Sequence, residues 1–191
     1  MARILGTIAS SFEAASAFES IATATGTGSS GTITFSSIPS TYQHLQIRGI
    51  TRTTTNTPEP GNTFWDVTFN SDTGANYARH RINGNGSSAG ALGESSQNAC
   101  RIYSVGSRGT ENDRMGACIL DIHDYASTSK YKTVRAIGGI NVNAASTNGE
   151  ISSSSGLWMN TSAVTSITLT IGSGNFASNT QIALYGIKGA A

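Results

Sequence analysis

Apolar residues recur at every second position in several short runs of this chain, the period of a strand with one buried face. In Thr63 to Asn70 (TFWDVTFN), Trp65, Val67 and Phe69 fall on one side and Asp66 and Thr68 on the other. Tyr42 to Thr51 sets Leu45 and Ile47 against Gln46 and Arg48, so one face is expected in the core and one in water. Near the end, Ile167/Leu169/Ile171 and Ile182/Leu184 alternate in two runs joined by a Gly/Ser/Asn-rich stretch. Ile167 to Lys188 therefore reads as a hairpin, with Gly172 and Gly174 free to take positive φ at the turn and Phe176 plugging the end of a hydrophobic layer.

The same grammar extends through the chain. Ser20 to Thr25 and Thr32 to Ser36 are β-branched runs joined by GTGSSG and read as a second hairpin, followed by a turn at Ile38-Pro39-Ser40. Tyr77 to Ile82 (YARHRI) is a polar strand expected at a sheet edge, where charge discourages wrong pairing. Further strands are expected at Arg101 to Ser104, Met115 to Ile122, Tyr131 to Asn143, Leu157 to Met159 and Val164 to Ile171, with Gly138-Gly139 marking a bulge or a close approach. Thr53 to Asn62, Asn83 to Asn98 and Gly106 to Arg114 read as loops. The longest, NGNGSSAGALGESSQN, has the length of a functional or mobile segment.

That makes eight to ten strands, and no stretch sustains a helical period long enough for a parallel crossover. The expected fold is all-β: an antiparallel β-sandwich of jelly-roll type over residues 18–191, preceded by a short N-terminal arm over residues 1–17. The arm is rich in Ala and Ser, and Ile4, Leu5, Ile8 and Phe12 are its candidate attachment contacts. It reads as a segment that orders against a partner, with a frayed terminus as the plain alternative.

Composition narrows the function classes. The chain has 191 residues and 19.7 kDa, enough for one sandwich. Charged residues make up 12%, where soluble domains carry roughly a quarter, and Gly reaches 22 residues, so the surface is polar without being ionic. A net charge of +1 gives no electrostatic argument for a nucleic-acid or anionic-membrane partner. MARILGTIASSF lacks the apolar core of a secretory signal and no run has the apolar length of a membrane span, which places synthesis and assembly in a cytosol. Two cysteines make no disulfide framework: Cys118 reads as a small buried hydrophobe, Cys100 sits at a loop-to-strand boundary, and a bridge between them is an open alternative.

Candidate chemistry is sparse. Gly26 to Gly31 has the letters of a dinucleotide fingerprint but leads into a β-branched strand instead of a helix, so it reads as a hairpin turn. Asp121 and His123 share a strand face as a metal-like pair that lacks further ligands, and capping of the strand end is the plainer reading. His44, His80 and His123 have no local nucleophile signature beside them. Eleven acidic residues are a thin supply for a glycosidase pair. Arg79-His80-Arg81 reads as a solvated edge or a subunit contact. Trp65 reads as core, whereas Trp158, in GLWMN, reads either way. No cofactor, metal or catalytic residue is assigned.

Two stretches carry a resemblance. SFESIATATGTGSSGTITFSSIPSTYQHLQIRG near the front and ITLTIGSGNFASNTQIALYGIKG at the end resemble structural proteins of tailed bacteriophages, especially cyanophages and other marine phages. The likeness covers roughly Phe18 to Gly49 and Ser154 to Lys188. It implies a non-enzymatic virion component, a tail or head fibre or appendage presenting loops for host attachment. A capsid decoration (cement) protein is the alternative and a glycan-degrading enzyme a distant one. It further implies other virion proteins as partners, a homotrimer and host surface glycan as the outward ligand, while the charge and the lack of a long apolar run leave no nucleic acid or membrane insertion among the expected partners. On this reading Asn83, Asn85, Ser87, Glu94 and Trp158 are the candidate host-contact residues.

Overall fold

The computed structural model describes residues 17–55, 64–103, 115–141 and 149–189. The arm with Ile4, Leu5, Ile8 and Phe12 and the Gly106 to Arg114 loop lie outside these residues, as does most of the Thr53 to Asn62 loop. Twelve strands are present among the described residues: β1 (Phe18–Thr25), β2 (Thr32–Phe35), β3 (His44–Thr51), β4 (Phe64–Phe69), β5 (Tyr77–Gly84), β6 (Ala89–Gln97), β7 (Cys100–Tyr103), β8 (Gly116–His123), β9 (Lys132–Ile140), β10 (Glu150–Trp158), β11 (Ile167–Ile171) and β12 (Gln181–Ile187). They form two antiparallel sheets, an eight-stranded one in the order β1-β12-β3-β8-β9-β10-β5-β6 and a four-stranded one in the order β2-β11-β4-β7. The architecture is an all-β sandwich, and its described strands run from Phe18 to Ile187.

The alternation places the core where the sequence puts it. Trp65, Val67 and Phe69 of β4, Leu45 and Ile47 of β3, Ile167 and Leu169 of β11, and Ile182 and Leu184 of β12 all point into the gap between the sheets and are buried. Phe176 does plug one end, edge-on to Trp65 at 6.3 Å between centroids. At the other end Phe69, Tyr77 and Trp158 stack together. Gly49 is required by this packing, since a Cβ there would stand 2.5 Å from the Trp65 ring. Lys132, inward on β9, is fully buried, and its Nζ donates to the carbonyl oxygens of Lys130 (2.7 Å) and Thr161 (3.1 Å). Cys100 and Cys118 are buried and free, and burial pushes both thiols up to about 12.

Several local expectations are corrected. Neither Gly-rich connection makes a hairpin. β11 pairs with β2 and β4, whereas β12 pairs with β1 and β3, so residues 172–180 carry the chain from one sheet to the other. GTGSSG likewise carries it from β1 to β2, anchored where Gly26 N–H donates to Thr180 O (3.0 Å) and Gly28 N–H to Phe176 O (2.8 Å). Gly174 takes positive φ, whereas Gly172 makes room for the Phe64 ring, 2.4 Å from where its Cβ would lie. β5 is no edge strand: it lies between β10 and β6. β9 runs without a bulge at Gly138-Gly139, in unbroken register with both neighbours. Asn83 to Asn98 is not one long loop but the end of β5, a tight turn and all of β6, and Leu157 to Met159 is the end of a strand that begins at Glu150.

Candidate functional site

The candidate host-contact residues are dispersed. Asn85 and Ser87 sit in the turn between β5 and β6, where the Asn85 Oδ1 accepts from the backbone N–H groups of Ser87 (3.1 Å) and Ser88 (2.8 Å). One amide thus braces the tip that exposes Gly86, Ser87 and Ser88, with Gly86 in the left-handed region. Asn83, on β5, donates through Nδ2 to Glu150 Oε2 on β10 (3.1 Å). Glu94 belongs to β6 and accepts from Arg79 Nε at 2.5 Å, and that hydrogen bond holds its carboxyl below the ordinary range. Trp158 is no surface contact: it is 1% exposed, and its Nε1 donates to Asp72 Oδ2 at 2.8 Å. The indole bond, joined by the Gly74 backbone N–H, draws the Asp72 carboxyl down in turn.

The remaining motif residues serve the fold. Arg79 and Arg81 point inward and His80 outward, so they form no single basic patch. Arg79 reaches from Glu94 toward Asp66 (3.8 Å), while Arg81 lies over the Tyr103 ring at 4.1 Å. Asp66 is held by Arg101 through two hydrogen bonds of 2.7 and 2.9 Å. Asp121 accepts from Gln46 Nε2 (2.8 Å) and faces Arg135 (3.6 Å), while His123 meets the His44 ring edge-on at 5.1 Å. Among the described residues no group of three or more His, Cys, Asp or Glu side chains stands close enough to share a metal.

What sequence reasoning passed over is the outward face of the eight-stranded sheet. Strand pairing aligns its outward residues in transverse rows. One runs Arg48, Ile119, Ile137, Ser153, Ile82, Ala91, and the next runs Ile50, Ala117, Gly139, Ile151, Gly84, Ala89. A third, polar row runs Gln46, Asp121, Arg135, Ser155, His80, Gly93. Two shallow depressions open on this face. One of about 530 Å³ lies among His80, Ile82, Arg135 and Ser153, and one of about 610 Å³ among Thr23, Arg48, Ile50 and Tyr185. The readable signal was the loss of alternation in ACILDI and RAIGGI, where adjacent residues are both apolar, as in strands covered on both sides. The chain matches no protein-family model, no curated protein and no solved structure.

Proposed function

We propose that this chain is a non-enzymatic structural component of a tailed-bacteriophage virion, assembled in the host cytoplasm, and that it acts as a fibre or appendage domain turned toward the host surface. The observation that carries this reading is the β5–β6 hairpin. β7, the last strand of the small sheet on that side, packs over β9, β10 and β5, so β6 and its turn stand beyond it. The turn exposes Ser87 and Ser88, whose hydroxyls donate to the same Asn85 Oδ1 that braces the backbone (3.4 and 3.2 Å) and keep lone pairs to accept from a glycan.

Two further features support the reading. The orders β1-β12-β3-β8 and β2-β11-β4-β7 suit a jelly roll, because early and late strands interleave in each sheet and β5, β6, β9 and β10 only widen one of them. Each described carboxylate has a partner within the fold: Asp66 has Arg101, Asp72 Trp158, Glu94 Arg79, Asp121 Gln46, Asp124 Lys130, Glu19 Lys188 and Glu150 Asn83.

The test is composition, then adsorption. Particles of the encoding phage, purified on a density gradient and examined by mass spectrometry, should contain the chain in stoichiometric amount; its absence overturns the reading. Labelled protein should adsorb to host cells and to their extracted surface glycan, and replacing residues 85–88 by a Gly-Gly turn should abolish adsorption. A virion chain that binds neither cells nor glycan would be a cement protein instead.

A further inference from the structure

We propose that the outward face of the eight-stranded sheet from β3 to β6, with its isoleucine rows as the apolar part, packs against a second copy of this chain. Ile50, Ile82, Ile119, Ile137 and Ile151 are 51, 64, 39, 51 and 59% exposed, although they project from five neighbouring strands of one sheet. Nothing among the described residues covers them. A contiguous apolar patch of this kind marks a contact surface rather than the scattered exposure normal to monomers.

Area favours a protein occupant. The six strands from β3 to β6 are eight or nine residues long. At about 4.8 Å between strands and about 3.3 Å per residue the face spans roughly 29 by 27 Å, close to 780 Å². A standard stable interface takes about 800 Å² from each partner, with an apolar centre and a polar rim. The isoleucine rows supply the apolar part, at one end of these strands. The Gln46–Asp121–Arg135 row and Arg48 supply a rim whose charges are already answered: Arg135 faces Asp121, and Arg48 Nε donates to Gln46 Oε1 at 2.7 Å.

Relief points to the chain itself. Each isoleucine stands beside a residue that leaves a hollow: Ala117 and Gly139 separate Ile50 from Ile151, and Gly84 follows Ile151 across the next strand pair. Gly139 and Gly84 have nothing nearer than 3.7 and 3.9 Å where a Cβ would lie. Knobs and hollows therefore lie on one patch, the condition for an isologous contact in which each copy fills the other. Stacking two such faces about 10 Å apart is ordinary sheet-on-sheet packing. With a net charge of +1, copies do not repel one another at a distance. Such pairing is two-fold and departs from the trimer that the phage resemblance implies.

The inference rests on surface chemistry and holds whatever particle the chain belongs to. Sedimentation velocity on the full chain should show a dimer. Ile137→Asp and, independently, Ile82→Lys should convert it to monomer without changing the far-ultraviolet circular dichroism, whereas Thr168→Asp on the other sheet should leave it dimeric. A monomeric wild type, a trimer, or a dimer indifferent to both outward substitutions overturns the proposal. So does a wild-type monomer that pairs only after residues 1–16 are removed, which would give the face to that segment. A monomer found in virions sinks this proposal and spares the virion reading; a dimer missing from virions does the reverse.

Discussion

The two outward faces of the sandwich are written in nearly the same alphabet and have opposite surfaces. On the four-stranded sheet the outward positions are Thr32, Thr34, Thr168, Thr170 and Thr68 with the Asp66–Arg101 pair, and Thr34 Oγ1 meets Thr168 Oγ1 at 3.0 Å. On the eight-stranded sheet two outward rows carry isoleucine among mostly small residues, beside a polar third row. Threonine and isoleucine are both β-branched and restrict the backbone toward extended geometry alike. The strand is thus specified by branching, and the fate of its face by whether the branch ends in a hydroxyl or a hydrocarbon.

The widest test of this contrast sets an inward position against an outward one. Phe69→Ala should cost about 3–5 kcal/mol of unfolding free energy in denaturant titration, because it opens a cavity beside Tyr77 and Trp158. Ile137→Ala, measured where the chain is monomeric, should move stability by no more than about 0.5 kcal/mol; equal effects would erase the distinction between the faces.

Backbone approach gives a smaller version of the same comparison. Gly49→Val should destabilise by about 1–3 kcal/mol by driving carbon into the Trp65 ring. Gly139→Ala, on the open face, should cost almost nothing, and a larger loss would mean that something already occupies that hollow.

Asp72→Asn should cost about 1 kcal/mol, since it weakens a charge-assisted bond to the Trp158 indole and keeps a neutral acceptor. The folded state holds the Asp72 carboxyl below its ordinary value, so its contribution is complete above the unfolded pKa near 3.9 and is lost as pH falls toward the folded value. Acid titration of stability should therefore be shallower in Asp72→Asn than in wild type below about pH 4. The gentlest test exchanges the alphabets: Thr168→Ile and Ile119→Thr should each shift stability by a few tenths of a kcal/mol while moving apolar-dye binding in opposite directions.

Much of the interior was legible because alternation reports burial directly, as at Trp65, Val67 and Phe69. Pairing partners were not. GTGSSG and GSGNFASNT look like hairpin turns, yet each is long enough to step across the roughly 10 Å between sheets, and composition does not say which way a connection steps. β6 (AGALGESSQ) and most of β10 (EISSSSGLW) escaped notice for another reason. Serine, glycine and alanine have little intrinsic preference for strands, and these segments extend because β5 and β9 offer them a ladder. Ser152 shows what such a residue gains there: its buried hydroxyl donates to the Tyr103 carbonyl at 2.9 Å. In the candidate site the turn residues Asn85 and Ser87 were visible from composition. The isoleucine face was not, since its members are separated by up to a hundred residues and meet only through register.

The crossing of β11 and β12 into different sheets has a consequence for the order in which this molecule comes into being. β12 fills the slot between β1 and β3, and β11 the slot between β2 and β4. A nascent chain leaving the ribosome therefore carries four strands that cannot pair into their sheets until about a hundred further residues have been made. Both sheets close last at the seam laid down first, so maturation waits on long-range β pairing, slow in that manner and exposed meanwhile to rescue or capture by chaperones.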